Sequence, residues 1–160
     1  MKDAIFVENL IIKFKGGILV IDSSVMNNLK INLNHEVGGV LYGFKLQSSD
    51  EYIISGNTEK QDRDFSDKHF FYRKDNKHFE IIKKLWEKDK VTMYFGDWHY
   101  HPVNYVYPST EDYKSFKENC ITAKTNTKFM FNIISSNKEI KIFIYDKKNK
   151  RKIGEHKILF

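Results

Sequence analysis

VTMYFGDWHYHPVNYVYPSTED, residues Val91 to Asp112, is the stretch on which the reading of this chain turns. Its first half is β-rich and ends in two histidines; Pro102 then discourages further ladder pairing and marks an exit into loop. Ser109 followed by Asp112 is a helix-start pattern related to the capping box, in which the serine satisfies a backbone N–H and the carboxylate reaches back. Side chains on a strand alternate faces, so His99 and His101 leave one side while Trp98 and Tyr100 leave the other. Two imidazoles so placed can converge on one small ion, with Asp112 arriving from the following helix as a third donor. Two histidines, one carboxylate and a position left for water form the pattern of a catalytic zinc site, whereas a structural site uses four protein ligands. Cys120 is the only thiol, which excludes a thiolate-rich site. The plainer alternative stands beside this one: isolated histidines are commonly surface or hydrogen-bonding residues, and Ser109 with Asp112 also serves as a helix cap.

Outward from this stretch, short apolar runs at 11–14 and 17–21 read as strands, and Asp22 or Ser23 caps a helix carrying Val25, Met26 and Leu29. VGGVLYGF (37–44) and EYIISGNT (51–58) read as partner strands, and residues 59–74 as loop. Residues 76–90 form an amphipathic helix, with Phe79, Ile82, Leu85 and Trp86 three and four apart. After the helix beginning at Ser109, strands at 126–135, 139–146 and 151–160 close the chain. The order β-β-α-β-β-α-β-α-β-β-β implies an α/β protein with one sheet and helices packed on it. Periodicity leaves the topology open.

A chain of 160 residues suits one domain, 1–160, with a core large enough to need no disulfide. A lone cysteine fits a reducing compartment, the start MKDAIFVENL lacks the pattern of a secretory signal, and no apolar run approaches a membrane span. A cytoplasmic location and no membrane partner are therefore expected. The net charge of +6 invites nucleic acid, but the basic residues show no module of a nucleic-acid fold, so that partner is not expected.

A metal-bound water needs a base within hydrogen-bond reach. Glu36, directly ahead of the glycine-bearing strand, is one candidate; Glu111, beside Asp112, is the other.

H-Y-H-P-V-N-Y-V-Y-P-S-T-E-D resembles the signature of the JAMM (JAB/MPN) zinc metalloproteases: His-x-His, seven residues, then Ser-x-x-Asp. HEVGGVLYG, residues 35–43, is similar to that family's second block, E-x-x-G-x-L-x-G, and GDWHYHP to the form found among small prokaryotic members. The resemblance, spanning about Phe14 to Phe143, implies a curved mixed β-sheet flanked by helices, the JAB/MPN (cytidine-deaminase-like) fold. It also implies one catalytic Zn2+ on His99, His101 and Asp112, water activation by Glu36, and oxyanion stabilisation by Ser109. One departure is Tyr100, which stands where family members often carry a small residue. The implied activity is that of a zinc metallo-isopeptidase, hydrolysing the amide bond after the carboxyl terminus of a ubiquitin-like protein. The implied setting is bacterial antiviral defence, with a cyclic-nucleotide synthase as the target of conjugation. Two alternatives are a peptidase processing a ubiquitin-like or sulfur-carrier precursor, and a non-catalytic protein-binding module.

Gly38, Gly39 and Gly43 let their strand run close to another backbone, either an extended peptide substrate or a neighbour demanded by the fold. Asn104, Tyr105 and Tyr107, between the metal candidates, are expected to touch substrate or shield the ion. His35 is expected outside the ligand set, and His69, His78 and His156 at the surface. Cys120 reads as a small buried hydrophobe.

Overall fold

The computed structural model describes residues 5–160. The strands are β1 (Leu10–Phe14), β2 (Gly17–Ile21), β3 (Val37–Lys45), β4 (Glu51–Asn57), β5 (Phe65–Ser66), β6 (Phe71–Tyr72), β7 (Met93–Tyr100), β8 (Phe129–Ser135), β9 (Glu139–Asp146) and β10 (Arg151–Leu159). The helices are α1 (Ser23–Asn28), α2 (Lys77–Asp89) and α3 (Thr110–Thr122). Eight strands form one sheet in the order β1-β2-β4-β3-β7-β8-β9-β10; β5 and β6 make a separate hairpin within the segment expected to be loop. Pairing is antiparallel except for β2 with β4 and β7 with β8, and α3 is the crossover between the latter two.

Alternation along the strands sorts side chains into two layers. On β9, Ile140, Ile142 and Ile144 join one buried cluster while Phe143 and Tyr145 join another. The first cluster shows the shape of the sheet. Flat and open, eight strands at ~4.8 Å spacing would hold their outer members about 34 Å apart. Instead, Ile12 of β1, Leu19 of β2, Ile54 of β4, Leu41 of β3, Phe95 of β7, Ile133 of β8 and Ile142 of β9 share one core, with Ile153 of β10 packed against it. The Phe14 ring at the end of β1 lies 5.1 Å from that of Phe129 on β8, and Phe6 lies 6.2 Å from Phe160. The described residues thus form an α/β structure with a nearly closed eight-stranded β-barrel and three helices; among them β1 and β10 border the remaining gap without pairing.

This corrects the expected open, curved JAB/MPN (cytidine-deaminase-like) sheet. Alternation specifies which face of each strand is buried, but closure depends on cumulative twist, bulges and stagger, which it does not encode. Register shifts occur between Tyr42 and Gly43 against β4, between Leu41 and Tyr42 against β7, and between Lys152 and Gly154 against β9.

Helix α1 contributes Val25 and Met26 to the barrel interior, and its cap residue Asp22 accepts from the Ser24 N–H at 2.8 Å. Helix α3 lies outside the barrel, burying Phe116 and Cys120 against Val40, Phe143 and Tyr145. Helix α2 buries only His78 and Ile82; Phe79 and Trp86, expected on its packed face, are 40% and 47% exposed. No helix among the described residues is long and apolar enough to cross a membrane.

Gly96 decides how β7 presents its side chains. Phe95 points into the barrel and so does Trp98, three residues on, which strict alternation forbids. The β3–β7 register slips at this point, and Gly96 holds φ +150°, where a side chain is strained. Beyond the slip, Trp98 and Tyr100 face inward, leaving Asp97, His99 and His101 for the outer surface beside α3.

Candidate metal centre

At the mouth of β3 and β7, Glu36, His99, His101 and Asp112 come together. The His99 and His101 rings are 4.7 Å apart, and one donor atom from each of Glu36, His99 and His101 lies within 4.8 Å of the others. His99 Nε2 is 3.0 Å from Asp112 Oδ1; His101 Nε2 is 3.7 Å from Asp112 Oδ2 and 3.8 Å from Glu36 Oε1. Each of these side chains is only 13–16% exposed.

Local structure explains how each arrives. His99 is fixed by the β3–β7 and β7–β8 ladders, opposite Gly38 and Ile134. His101 lies just beyond β7, where its N–H donates to Ser135 O at 2.9 Å. Asp112 is held by a complete capping box: Ser109 Oγ accepts from the Asp112 N–H at 3.1 Å, and Asp112 Oδ2 accepts from the Ser109 N–H at 2.8 Å. Cap and ligand candidate are therefore the same carboxylate, and the helix start aims Oδ1 at His99. Glu36 is pinned from the β5–β6 hairpin: its N–H donates to Asp67 O at 2.7 Å, and its carbonyl accepts from Ser66 Oγ.

That hairpin has its own anchor. His78, expected at the surface, is fully buried. Its Nε2 lies 2.6 Å from Asp64 Oδ2 and its Nδ1 2.5 Å from Thr58 Oγ1, which in turn accepts from the Val40 N–H at 2.9 Å. Because Thr58 Oγ1 already accepts, its hydroxyl proton is available to His78 Nδ1, and Nε2–H faces Asp64. A buried polar chain thus ties the start of α2 to both ends of the segment framing Glu36. The sequence offered no spacing that pairs Thr58, Asp64 and His78.

Electrostatics suit cation capture. Burial alone would raise the Asp112 carboxyl, but hydrogen bonding and charge from His99, with the Ser109 N–H, hold it at about 2. Burial and the neighbouring His99 bring His101 down to about 4, against the pull of Asp112, so its ring is neutral near pH 7. Burial pushes Glu36 up to about 7; His99 opposes this, while Asp112 and Asp67 add to it. An ionised carboxylate and a neutral imidazole are the forms that bind metal without first losing a proton.

The remaining expected site residues disperse. Gly39 lines the metal cleft, while a Cβ on Gly38 would meet Trp98 O and the Phe71 ring. The close approaches at both glycines are therefore to the chain's own segments. Asn104 and Tyr105 line a separate cleft with Lys30 and Phe160, and Tyr107 is 77% exposed. Glu111 borders the metal cleft from α3. Tyr100 turns inward, fully buried, with its hydroxyl donating to Leu33 O at 3.1 Å. Trp98 is buried behind the site and donates from Nε1 to Thr58 O at 2.8 Å.

No protein-family model and no curated protein matches the chain. Among solved structures it is similar to the solution structure of protein DSY2949 from Desulfitobacterium hafniense, with a TM-score of 0.55 and 20% identity over 86% of this chain and 88% of that one. At that distance the likeness speaks to fold alone.

The JAMM (JAB/MPN) resemblance is corrected on these grounds. It called for an open sheet, whereas the strands curl into a nearly closed barrel. The zinc metallo-isopeptidase reading goes with it, including deconjugation of a ubiquitin-like protein, precursor processing and the binding module of that fold. A short motif fixes which side chains meet, and His99, His101, Asp112 and Glu36 do meet. It does not fix the architecture in which a protein substrate would be held.

Proposed function

We propose that the protein binds one divalent ion of zinc character on His99, His101 and Asp112, with Glu36 facing a water in the remaining position. The convergence of Glu36, His99 and His101, joined by Asp112 through Oδ1 3.0 Å from His99 Nε2, carries the reading. Donors roughly 2.0–2.1 Å from a tetrahedral zinc lie about 3.3 Å from one another. Among the three proposed ligands, His99 Nε2 lies 3.0 Å from Asp112 Oδ1 and His101 Nε2 3.7 Å from Asp112 Oδ2, on either side of that value. Imidazole and carboxylate donors without a thiolate suit zinc or a neighbouring transition metal. When bound, such an ion would supply Lewis acidity. Glu36 would stand as the proton acceptor beside it, and the Ser109–Asp112 cap holds the orientation of the Asp112 carboxylate.

The test is titration of Zn2+ into metal-free full-length protein, followed by calorimetry and elemental analysis after dialysis. One ion per chain is expected, with severe loss of affinity in His101→Ala and Asp112→Ala and retention in Glu36→Gln. Failure of the wild type to retain zinc refutes the site. Loss of zinc from Glu36→Gln makes Glu36 a fourth ligand and the site a closed one.

A further inference from the structure

A second cleft, of about 870 Å³, lies between α2, the start of β7 and the end of α3. Among the described residues, five cationic ones line it, Lys45, Arg73, Lys83, Lys90 and Lys124, and no aspartate or glutamate does. Its apolar wall comes from residues that α2 leaves only partly packed, the Phe79 ring meeting that of Tyr94 edge-on at 5.3 Å. Phe79 and Trp86 are 40% and 47% exposed there, although their spacing suits a buried face. An exposed indole and phenyl ring on one helix face, inside a concavity, are apolar surface left for another molecule to cover. Cations already sit against both rings: Lys90 Nζ lies 4.3 Å from the Trp86 centroid, and the Arg73 guanidinium 4.8 Å from that of Phe79.

Arg73 is spoken for, since Asp97 Oδ2 lies 3.2 Å away, and Lys45 Nζ donates to Leu46 O and Ser49 O. Lys83 and Lys124, with Lys90 against the Trp86 ring, supply a positive field along the α2 and α3 walls. Gln47 and Asn126 add amides at the same surface, while Thr125 Oγ1 donates to Tyr94 O and Asn119 Nδ2 to Asp97 Oδ2. Charge, flat apolar rings and volume together select the occupant. A flat aromatic group can stack on the rings, and a neutral one would leave the lysine field without a counter-charge. The volume falls in the range of small-molecule sites, roughly 300–1,000 Å³.

We propose that this cleft binds a nucleoside phosphate, with its base against Trp86 and Phe79 and its phosphates among Lys83, Lys90 and Lys124. Base–aromatic stacking and cation contacts to phosphate are the two interactions that such a lining supplies. The cleft adjoins the metal site, sharing Arg73 and Asn119 with it, yet none of the metal-centre side chains lines it.

The chain carries its own reporter. Of its two tryptophans, Trp86 lies exposed in the cleft and Trp98 is buried at 3%. Indole emission of the full-length protein is followed while ADP is added at low salt, with excess chelator so that the metal centre takes no part. Adenosine, inorganic pyrophosphate and hexaglutamate are titrated in parallel. ADP is expected to change the emission saturably and to bind more tightly than adenosine or pyrophosphate. The change should vanish in Trp86→Phe, while Lys83→Glu and Lys124→Glu each weaken binding by about tenfold with unchanged circular dichroism. No saturable response to ADP overturns the proposal. So does equal affinity for pyrophosphate, which leaves only an anion patch, or tighter binding of hexaglutamate, which makes the cleft a peptide site. Unaltered ADP binding in both lysine variants overturns it as well.

Discussion

Replacing Gly96 by alanine tests whether one backbone position sets the facing of the metal ligands. The residue holds φ +150°, and an alanine Cβ there would lie 1.9 Å from Phe131 O on the neighbouring strand. Forcing an L-residue into that region costs about 1–3 kcal/mol. Overpacking against a ladder carbonyl, which cannot rotate aside as a side chain can, costs about 1–3 kcal/mol more. Together Gly96→Ala should destabilise the protein by about 2–6 kcal/mol, a large share of a typical 5–15 kcal/mol total. Gly154 is the control: it too lies at a register shift, but a Cβ there would meet nothing closer than 3.6 Å, so Gly154→Ala should stay within about 0.5 kcal/mol of wild type. Urea denaturation compares the three proteins, with zinc retention measured on whatever remains folded. If β7 relieves the clash by giving up its slip, the parity of Asp97 and His99 reverses, and the folded fraction loses zinc. A Gly96→Ala protein as stable as Gly154→Ala, with zinc affinity intact, would refute this account of β7.

Glu36 gives a pH signature in the metal-free protein. Its carboxyl rises from 4.5 to about 7 on folding, so the folded state holds the proton more tightly. That contribution is fully present below about 4.5 and is lost as pH rises through 7, amounting to about 3–4 kcal/mol at about 1.4 kcal/mol per unit. Glu36→Gln, which cannot ionise, should match the wild type near pH 4 and exceed its stability above pH 7; parallel stability–pH curves from chelator-treated samples would contradict this. His78→Ala should strip Asp64 and Thr58 of their buried partner, costing about 3–5 kcal/mol, and speed amide exchange in residues 59–74 first. Uniform exchange with little destabilisation would show that the buried chain does not anchor that segment.

The sequence by itself determined most of the elements and the meeting of one cluster of histidine and carboxylate side chains. Alternating apolar residues in EIKIFIYD, the 76–90 amphipathic pattern and the Ser109 cap each became the expected element, because short-range sterics and local hydrogen bonds govern them. The shared face of His99 and His101 was legible for the same reason, since their separation in a strand is a local distance. Tertiary structure decided what depends on accumulated or distant geometry. Curvature summed over eight strands turned an expected open sheet into a near-barrel and removed the architecture implied by the motif. One glycine slip chose the outer face for the histidines. His78 became a buried link because Thr58 and Asp64, 20 and 14 residues away, meet it only after folding. The apolar side of α2 stayed partly uncovered because its amphipathic pattern says that a face seeks cover, while only the packed chain shows what covers it.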